Sequence, residues 1–123
     1  MLIEKLGNKN FTLLAKMLDM EAASIRVNSQ NIANVNTPHY RRRSFDFESS
    51  LRQAMSLGAS EDYQAIQGHV AMPNTTAVRN NGNNVDIDLE MLNMKQSSAL
   101  YDIYAQLYSR QTTNLRNAIR GTR

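Results

Sequence analysis

Two long amphipathic stretches, one at each end of the chain, constrain its fold more than any other feature of the sequence. In the first, which runs to about Asn34, the apolar positions are Phe11, Leu14, Leu18, Ala22, Ile25 and Ile32. In the second, from about Ile87 to Arg120, they are Leu89, Leu92, Ala99, Ile103, Leu107, Leu115 and Ile119. Intervals of three, four, seven and eight residues place most of each set on one face of an α-helix. The sequence therefore predicts two long terminal helices.

Residues at the ends of both stretches predict where each helix begins and ends. Asn10 is a candidate N-cap for the first helix. Pro38 predicts its end, because proline forces the preceding residue out of the α region. Asp88 as N-cap of the second helix would place apolar residues at both positions of a hydrophobic staple. Gly121 suits the left-handed residue that often follows a helix.

The middle of the chain, residues 39–86, lacks a sustained period. Residues 48–57 are typical of a short helix, whereas residues 58–84 are mostly small and polar and end in the turn-forming sequence NNGNN. We therefore expect the two ends, 1–38 and 87–123, to form one assembly domain that flanks a variable middle segment.

Composition and helix length both indicate a subunit rather than a self-sufficient globule. Leu, Ile, Val and Phe total 27 of 123 residues, close to the roughly 20% below which a chain rarely buries enough apolar surface to fold alone. A helix of about 33 residues is about 50 Å long, whereas a compact globule of this chain length is about 35 Å across. We predict a mainly α fold with two long terminal helices, paired as an antiparallel-like coiled coil. A short, poorly regular middle segment completes an elongated subunit of a helical assembly.

Three apolar residues lie on adjoining positions of the second helix and are candidates for the seam of this coiled coil: Leu100, Ile103 and Leu107. We expect Ile103 near the centre of the seam, opposite residues 18–25. Four polar residues interrupt the two stripes: Glu21, Asn28, Gln96 and Gln111. Buried amides at such positions reduce stability but fix the register of the helices.

The sequence offers little for catalysis or metal binding. There is no cysteine, which excludes disulfides and thiolate chemistry. His39 and His69 lie outside any recognised nucleophile or metal motif. Asp86, Asp88 and Glu90 lack the spacing of a calcium loop, and their place at a helix start explains them. We predict no enzyme activity, no metal, no cofactor and no small-molecule substrate.

The one basic cluster, formed by Arg41, Arg42 and Arg43, leaves a second binding function open. Arginines beside aromatic residues can bind single-stranded nucleic acid through charge and stacking. A net charge of +3 nevertheless makes a small electrostatic footprint, and Arg and Tyr are enriched at protein interfaces. We favour a subunit contact without nucleic acid, with a small helical nucleic-acid-binding adaptor as the alternative.

Two segments together resemble one protein family. NIANVNTPHY, residues 31–40, closely resembles the N-terminal signature of bacterial flagellar rod and hook proteins. NNVDIDLEM, residues 83–91, resembles the motif that opens their C-terminal helix. The family usually has glycine where this chain has His39, so a left-handed backbone at that position would strain the histidine.

The resemblance implies a structural subunit of the proximal rod, the helical drive shaft that joins the membrane ring and export apparatus to the distal rod and hook. The implied partners are further copies of the chain, the rod proteins FlgC, FlgF and FlgG, the adaptor FliE, the membrane ring and the flagellar type III export gate. Of these, FlgC has similar motifs at both ends and is the nearest alternative assignment for this chain within the family. The implied location is the periplasm near the inner membrane, after export without a cleaved signal, and the N-terminus shows no apolar signal core.

The residues assigned to assembly on these grounds are Asn31, Asn34, Asn36, Thr37, Pro38, Tyr40, Arg41, Arg42, Asn84, Asp86, Asp88, Leu100, Ile103 and Leu107.

Overall fold

Two long helices dominate the structure, a computed structural model that describes residues 2–56 and 63–121. In chain order the elements are α1 (Leu2–Ala33), β1 (Ser44–Asp46), α2 (Glu48–Ser56), a 3₁₀ turn (Tyr63–Ala65), β2 (His69–Ala71) and α3 (Ile87–Ile119). The predicted fold class is confirmed, because both terminal helices are present and a short, irregular segment connects them.

The helices α1 and α3 pack side by side and run in opposite directions. Towards the chain termini, the rings of Phe11 and Tyr108 meet edge to face with centroids 5.2 Å apart. At the other end of the pair, Asn31 Nδ2 lies 3.0 Å from Glu90 Oε2. The start of α1 therefore lies beside the end of α3, and the end of α1 lies beside the start of α3, as in an antiparallel coiled coil.

The face that α3 turns toward α1 is not the apolar stripe predicted from the sequence. The least exposed positions of α3 include a series at intervals of seven: Glu90, Ser97, Tyr104 and Gln111. Ile103, expected at the centre of the seam, is 51% exposed, and Leu107 is 43% exposed. Of the three predicted seam residues only Leu100 is half-buried. The prediction was wrong because the inward series contains Tyr104, and Ile103 lies about 100° around the helix from that residue.

The facing side of α1 is polar as well. Its seam residues follow a 4-3-4-3 spacing and are Met17, Glu21, Ser24, Asn28 and Asn31. Across the seam, the hydroxyl oxygens of Ser24 and Ser97 are 3.0 Å apart. Two of the predicted polar interruptions, Glu21 and Asn28, therefore lie inside the helix pair, whereas Gln96 is exposed and Gln111 is half-buried.

The middle segment packs mainly against α1. Its two short strands pair antiparallel, with Phe45 opposite Val70. The Phe45 ring lies directly over Gly68, where a Cβ atom would fall only 1.8 Å from the ring. This two-stranded sheet was not predicted, because three-residue strands show too little alternation to be recognised. The predicted helix over 48–57 is confirmed as α2, apart from residue 57, which lies outside the described residues.

Both helices begin differently from the prediction. α1 already starts at Leu2, and Asn10 lies exposed inside it. The N-cap of α3 is Asp86 rather than Asp88. Asp86 Oδ1 accepts hydrogen bonds from the N–H groups of Asp88 and Leu89 at 3.0 and 3.3 Å. This shift of two residues removes the predicted hydrophobic staple.

The predicted helix ends are confirmed. α1 ends at Ala33, five residues before Pro38. Gly121 follows α3 with a φ of 74°, and its N–H donates to the Ala118 carbonyl at 3.4 Å. A left-handed glycine at this position satisfies one of the free carbonyls at the end of a helix.

A buried carboxylate in the seam makes the helix pair sensitive to pH. Burial raises the pKa of Glu21 above 4.5, the hydrogen bond with Ser97 opposes this shift, and the charge of Glu48 adds to it. Because the pKa of Glu21 is higher in the folded than in the unfolded chain, the folded chain binds the proton more tightly. The stability that this proton adds is complete below the unfolded-state pKa and is lost as pH rises through the folded-state pKa. We expect Glu21→Gln to be more stable than the wild type at neutral pH. Urea unfolding across a pH series should show the advantage vanishing in acid, and an equal advantage at every pH would contradict it.

Candidate functional site

The two sequence motifs meet in a buried cluster where the end of α1, the following loop and the start of α3 converge. We call this cluster the polar clasp, and its members are Asn31, Tyr40, Arg42, Asn83, Asn84 and Glu90. Four of these side chains, those of Asn31, Asn83, Asn84 and Glu90, are essentially removed from solvent. The clasp thus joins two segments that lie about fifty residues apart in the sequence.

Asn31 is the centre of the clasp. Its Nδ2 donates to the Arg43 carbonyl at 2.6 Å and to Glu90 Oε2 at 3.0 Å. Its Oδ1 accepts from the Tyr40 hydroxyl and from the Arg43 N–H, both at 3.0 Å. The carboxamide therefore uses both donors and accepts twice, which a carboxylate could not do because it has no donor.

A buried ion pair locks α3 to the loop that follows α1. Arg42 Nε lies 2.6 Å from Glu90 Oε1, and neither side chain has substantial access to water. The backbone N–H of Arg42 also donates to Asn84 Oδ1 at 2.6 Å. Because a charge left alone in such a place is costly, Arg42 and Glu90 depend on each other.

Asn83 completes the turn that leaves α1. Its Nδ2 donates to the carbonyls of Asn34 and Thr37, both at 2.8 Å, and its Oδ1 accepts from the Val85 N–H at 2.8 Å. Asn34 Oδ1 also accepts from the Thr37 hydroxyl at 3.1 Å. Asn83, from the second motif, thereby adds a side-chain hydrogen bond to two carbonyls of the turn that already accept from backbone N–H groups.

Two left-handed residues, one from each of two neighbouring turns, lie in contact. His39 has a φ of 62° and Gly82 a φ of 81°. A Cβ atom at Gly82 would lie 2.7 Å from His39 Nδ1, so only glycine fits there without displacement of the imidazole. The backbone at His39 is left-handed, which is the conformation in which the family's usual glycine would avoid the strain that a histidine carries.

Because His39 adopts a conformation that favours glycine, we expect His39→Gly to be tolerated and His39→Val to be destabilising. A branched side chain in the left-handed region costs about 1–2 kcal/mol. Urea unfolding of the two variants beside the wild type measures the difference. Equal stability of the glycine and valine variants would mean that the turn does not hold this conformation in solution.

The structure brings together some of the residues predicted from the sequence and separates others. Those in the clasp or its turn are Asn31, Asn34, Thr37, Tyr40, Arg42 and Asn84, with Asp86 adjoining as the cap of α3. Those on the surface are Asn36, Pro38, Arg41, Asp88, Ile103 and Leu107. Sequence reasoning missed Asn83 and assigned Glu90 to the helix dipole. No periodic apolar signal marks Glu90 as inward, because the residues at intervals of seven from it are Ser97, Tyr104 and Gln111.

The basic cluster does not form a continuous surface. Arg42 points inward to Glu90, whereas Arg41 and Arg43 are exposed. Burial of the central arginine removes one third of the charge on which the nucleic-acid alternative depended, and no other feature of residues 2–56 and 63–121 supports that alternative.

Within residues 2–56 and 63–121, His, Asp and Glu side chains do not gather in groups of three or more that could hold a metal ion. Neither long helix carries an apolar stretch sufficient to cross a lipid bilayer.

Comparison with known proteins finds relatives that all carry the same description. No family model matches the chain. It is 31% identical over 106 residues to the flagellar basal body rod protein FlgB of Borreliella burgdorferi, covering 72% of this chain and 78% of that protein. It is 27% identical to FlgB of Bacillus subtilis, over 78% of this chain and 81% of the relative. Identity to FlgB of Aeromonas hydrophila is 26%, over 93% of this chain and 95% of the relative.

Proposed function

This chain belongs to the family of the flagellar basal body rod protein FlgB, and we propose on that basis how it is built into the rod. It is a structural subunit of the bacterial flagellar basal-body rod, and it assembles with other rod and flagellar proteins. We infer that it acts through its surfaces and has no enzymatic activity.

The observation that carries the proposal is the distribution of exposed apolar side chains. In the described part of the chain, nine of the thirteen large hydrophobic residues that are exposed lie on α3. We call the following group, which intervals of eleven and four residues place on one face of α3, the α3 apolar surface: Leu92, Ile103 and Leu107. Apolar groups of this extent on one helix are typical of surfaces that bind another protein. We propose that the α3 apolar surface contacts a neighbouring rod subunit.

A separate strip of the same helix is suited to water. It consists of residues at intervals of seven, all exposed: Lys95, Asp102, Ser109 and Arg116. Since α3 carries both kinds of surface, its exposed apolar residues are not explained by a helix that is solvated on every side. The contrast supports a specific docking surface.

The polar clasp determines which surface of α3 is presented. By holding Glu90 inward it fixes the rotation of α3 relative to α1 and so directs Ile103 outward. Repetition of one heterologous contact that does not close into a ring generates a helical filament. Long helices joined by many such contacts along a tube would resist torsion, as a rotating shaft requires.

From the family resemblance we also propose a more specific location for the chain in the flagellum. The chain lies in the proximal rod, in the periplasm near the inner membrane, between the membrane ring with its export gate and the distal rod and hook. Its neighbours are further copies of itself, FlgC, FlgF and FlgG, and the adaptor FliE. It reaches this site through the flagellar type III export apparatus without a cleaved signal. The surface residues proposed for these contacts are Asn36, Pro38, Arg41, Asp88, Ile103 and Leu107.

Deletion of the gene in the source bacterium tests the function. We expect the deleted strain to be non-motile, and the wild-type chain to restore swimming and to be recovered in isolated basal bodies by mass spectrometry. Cross-linking in those basal bodies would identify the neighbours. A deletion strain that swims normally, or basal bodies that lack the chain, would overturn the proposal.

A further inference from the structure

An open groove of about 590 Å³ runs between α1 and α3 in the half of the helix pair that lies near the chain termini. We call it the terminal groove. On α3 its lining spans residues 107–118, about three helical turns in a length of about 16 Å. The large apolar side chains in its walls are Phe11, Leu13, Leu14, Leu107 and Leu115. The terminal groove therefore adjoins the α3 apolar surface, to which Leu107 also belongs.

In the other half of the helix pair, the middle segment packs along the same flank. Leu100 lies on the same side of α3 as Leu107, seven residues earlier. It lines a cavity together with Phe47 and Leu51, which come from the middle segment. Among the described residues, only those of α1 and α3 line the terminal groove. An apolar groove left open between two helices is suited to a third, amphipathic helix.

Basic side chains border the terminal groove on both sides. On α1, Leu13 lies four residues after Lys9 and three before Lys16, so the two lysines flank it on the helix surface. On α3, Arg110 lines the groove and is exposed. None of these three cations forms an ion pair with a carboxylate whose side chain the structure describes.

The helices themselves do not account for these charges. Lys9, Lys16 and Arg110 all lie more than one turn from the ends of α1 and α3, beyond the reach of the helix dipole. The same half of the chain is basic as a whole, because residues 1–18 and 103–123 contain seven Lys and Arg but one Glu. Positive charge beside an apolar groove favours a partner that carries negative charge.

This charge distribution selects the occupant. A second copy that inserted its own terminal half would bring further basic side chains, and like charges across an interface oppose binding. A helix with an apolar stripe bordered by Asp and Glu satisfies both features of the groove. Its apolar side chains would contact the leucines of the walls, and its carboxylates would face Lys9, Lys16 and Arg110. Charges that border an apolar seam determine the partner helix in coiled coils in the same way.

We propose that the terminal groove binds an acidic amphipathic helix of another basal-body protein. This inference rests on the proposed function as a rod subunit. It adds the chemistry of one partner, which the α3 apolar surface alone does not specify.

Charge reversal on both sides of the groove tests the electrostatic part. We expect Lys9→Glu combined with Arg110→Glu to lower incorporation into basal bodies at least about tenfold, because like charges would then face each other. The matched control combines Arg26→Glu with Lys95→Glu, two exposed positions of α1 and α3 outside the groove. The control should assemble like the wild type. Normal incorporation of the groove variant, or an equal loss in the control, would overturn the proposal.

Photocrosslinking identifies the occupant without altering these charges. A photoreactive amino acid replaces Asn114, which is exposed and lines the groove, and in a control it replaces Ser109 on the polar strip. Mass spectrometry of irradiated basal bodies identifies the linked peptide. From position 114, and not from 109, we expect a peptide of another basal-body protein with apolar residues at intervals of three and four and an excess of Asp and Glu.

Several results at position 114 would overturn the proposal. They are a link to a second copy, to the same chain or to lipid, a link to a peptide without acidic excess, and no link in basal bodies shown to contain the subunit. If the wild-type chain itself were absent from basal bodies, the proposed function would fail instead.

Discussion

Glu90→Ala is expected to destabilise the chain by about 3–5 kcal/mol, the typical cost of removing one partner from a buried ion pair. Arg42, only 5% exposed, would keep its charge with no carboxylate beside it. Asn31 would lose one of its two acceptors at the same time. Urea or thermal unfolding of the purified variant measures this loss.

Asp88→Ala is the matched control for that experiment. Asp88 is also an acidic residue in the first turn of α3, but its side chain is exposed. Removing a surface charge near a helix N-terminus costs about 0.3–1 kcal/mol. If both variants lost the same small amount of stability, Glu90 would act only on the helix dipole, and the polar clasp would not hold the helices together.

Ile103→Asp is expected to leave the free chain folded and to remove it from the rod. The side chain is half exposed, so the substitution should change the free energy of unfolding by no more than about 0.5 kcal/mol. At an interface, an anchor residue typically contributes about 2 kcal/mol or more. We therefore expect incorporation into basal bodies to fall by more than about tenfold, with loss of swimming.

Ser109→Asp controls for the added charge. Ser109 belongs to the polar strip of α3 and is exposed, so an aspartate there should assemble normally. Complementation of the deletion strain, scored for swimming and for subunit in isolated basal bodies, decides between the two variants. If Ile103→Asp unfolded the purified chain, Ile103 would belong to the seam after all. If it assembled normally, the α3 apolar surface would not be a subunit contact.

The long helices were predictable because hydrophobic periodicity, Pro38 and Gly121 act locally along the chain. The same periodicity did not identify the buried face of α3. Periodicity assumes that the most apolar face is the one buried against a partner in the same chain, and here Ile103 lies outward. We attribute the outward position of Ile103 to the proposed contact with a neighbouring rod subunit, a partner that the isolated chain lacks.

The polar clasp was only partly predictable. The resemblance of residues 31–40 and 83–91 to one family drew attention to Asn31, Tyr40 and Asn84. It did not show that Asn31 and Glu90 bond to each other, because that contact depends on the pairing of distant segments. Glu90 also had a sufficient local explanation in the helix dipole, which hid its inward position. The short sheet of β1 and β2 depends in the same way on distant pairing.

Thiol accessibility at position 103 measures most directly whether the α3 apolar surface is buried between rod subunits. The chain has no cysteine, so Ile103→Cys introduces a single thiol at the centre of that surface. Its rate of reaction with a maleimide is compared in the purified chain and in basal bodies that contain it. Our proposal predicts rapid labelling of the free chain and strong protection in the rod. Equal labelling of both forms, in basal bodies shown to contain the subunit, would contradict it.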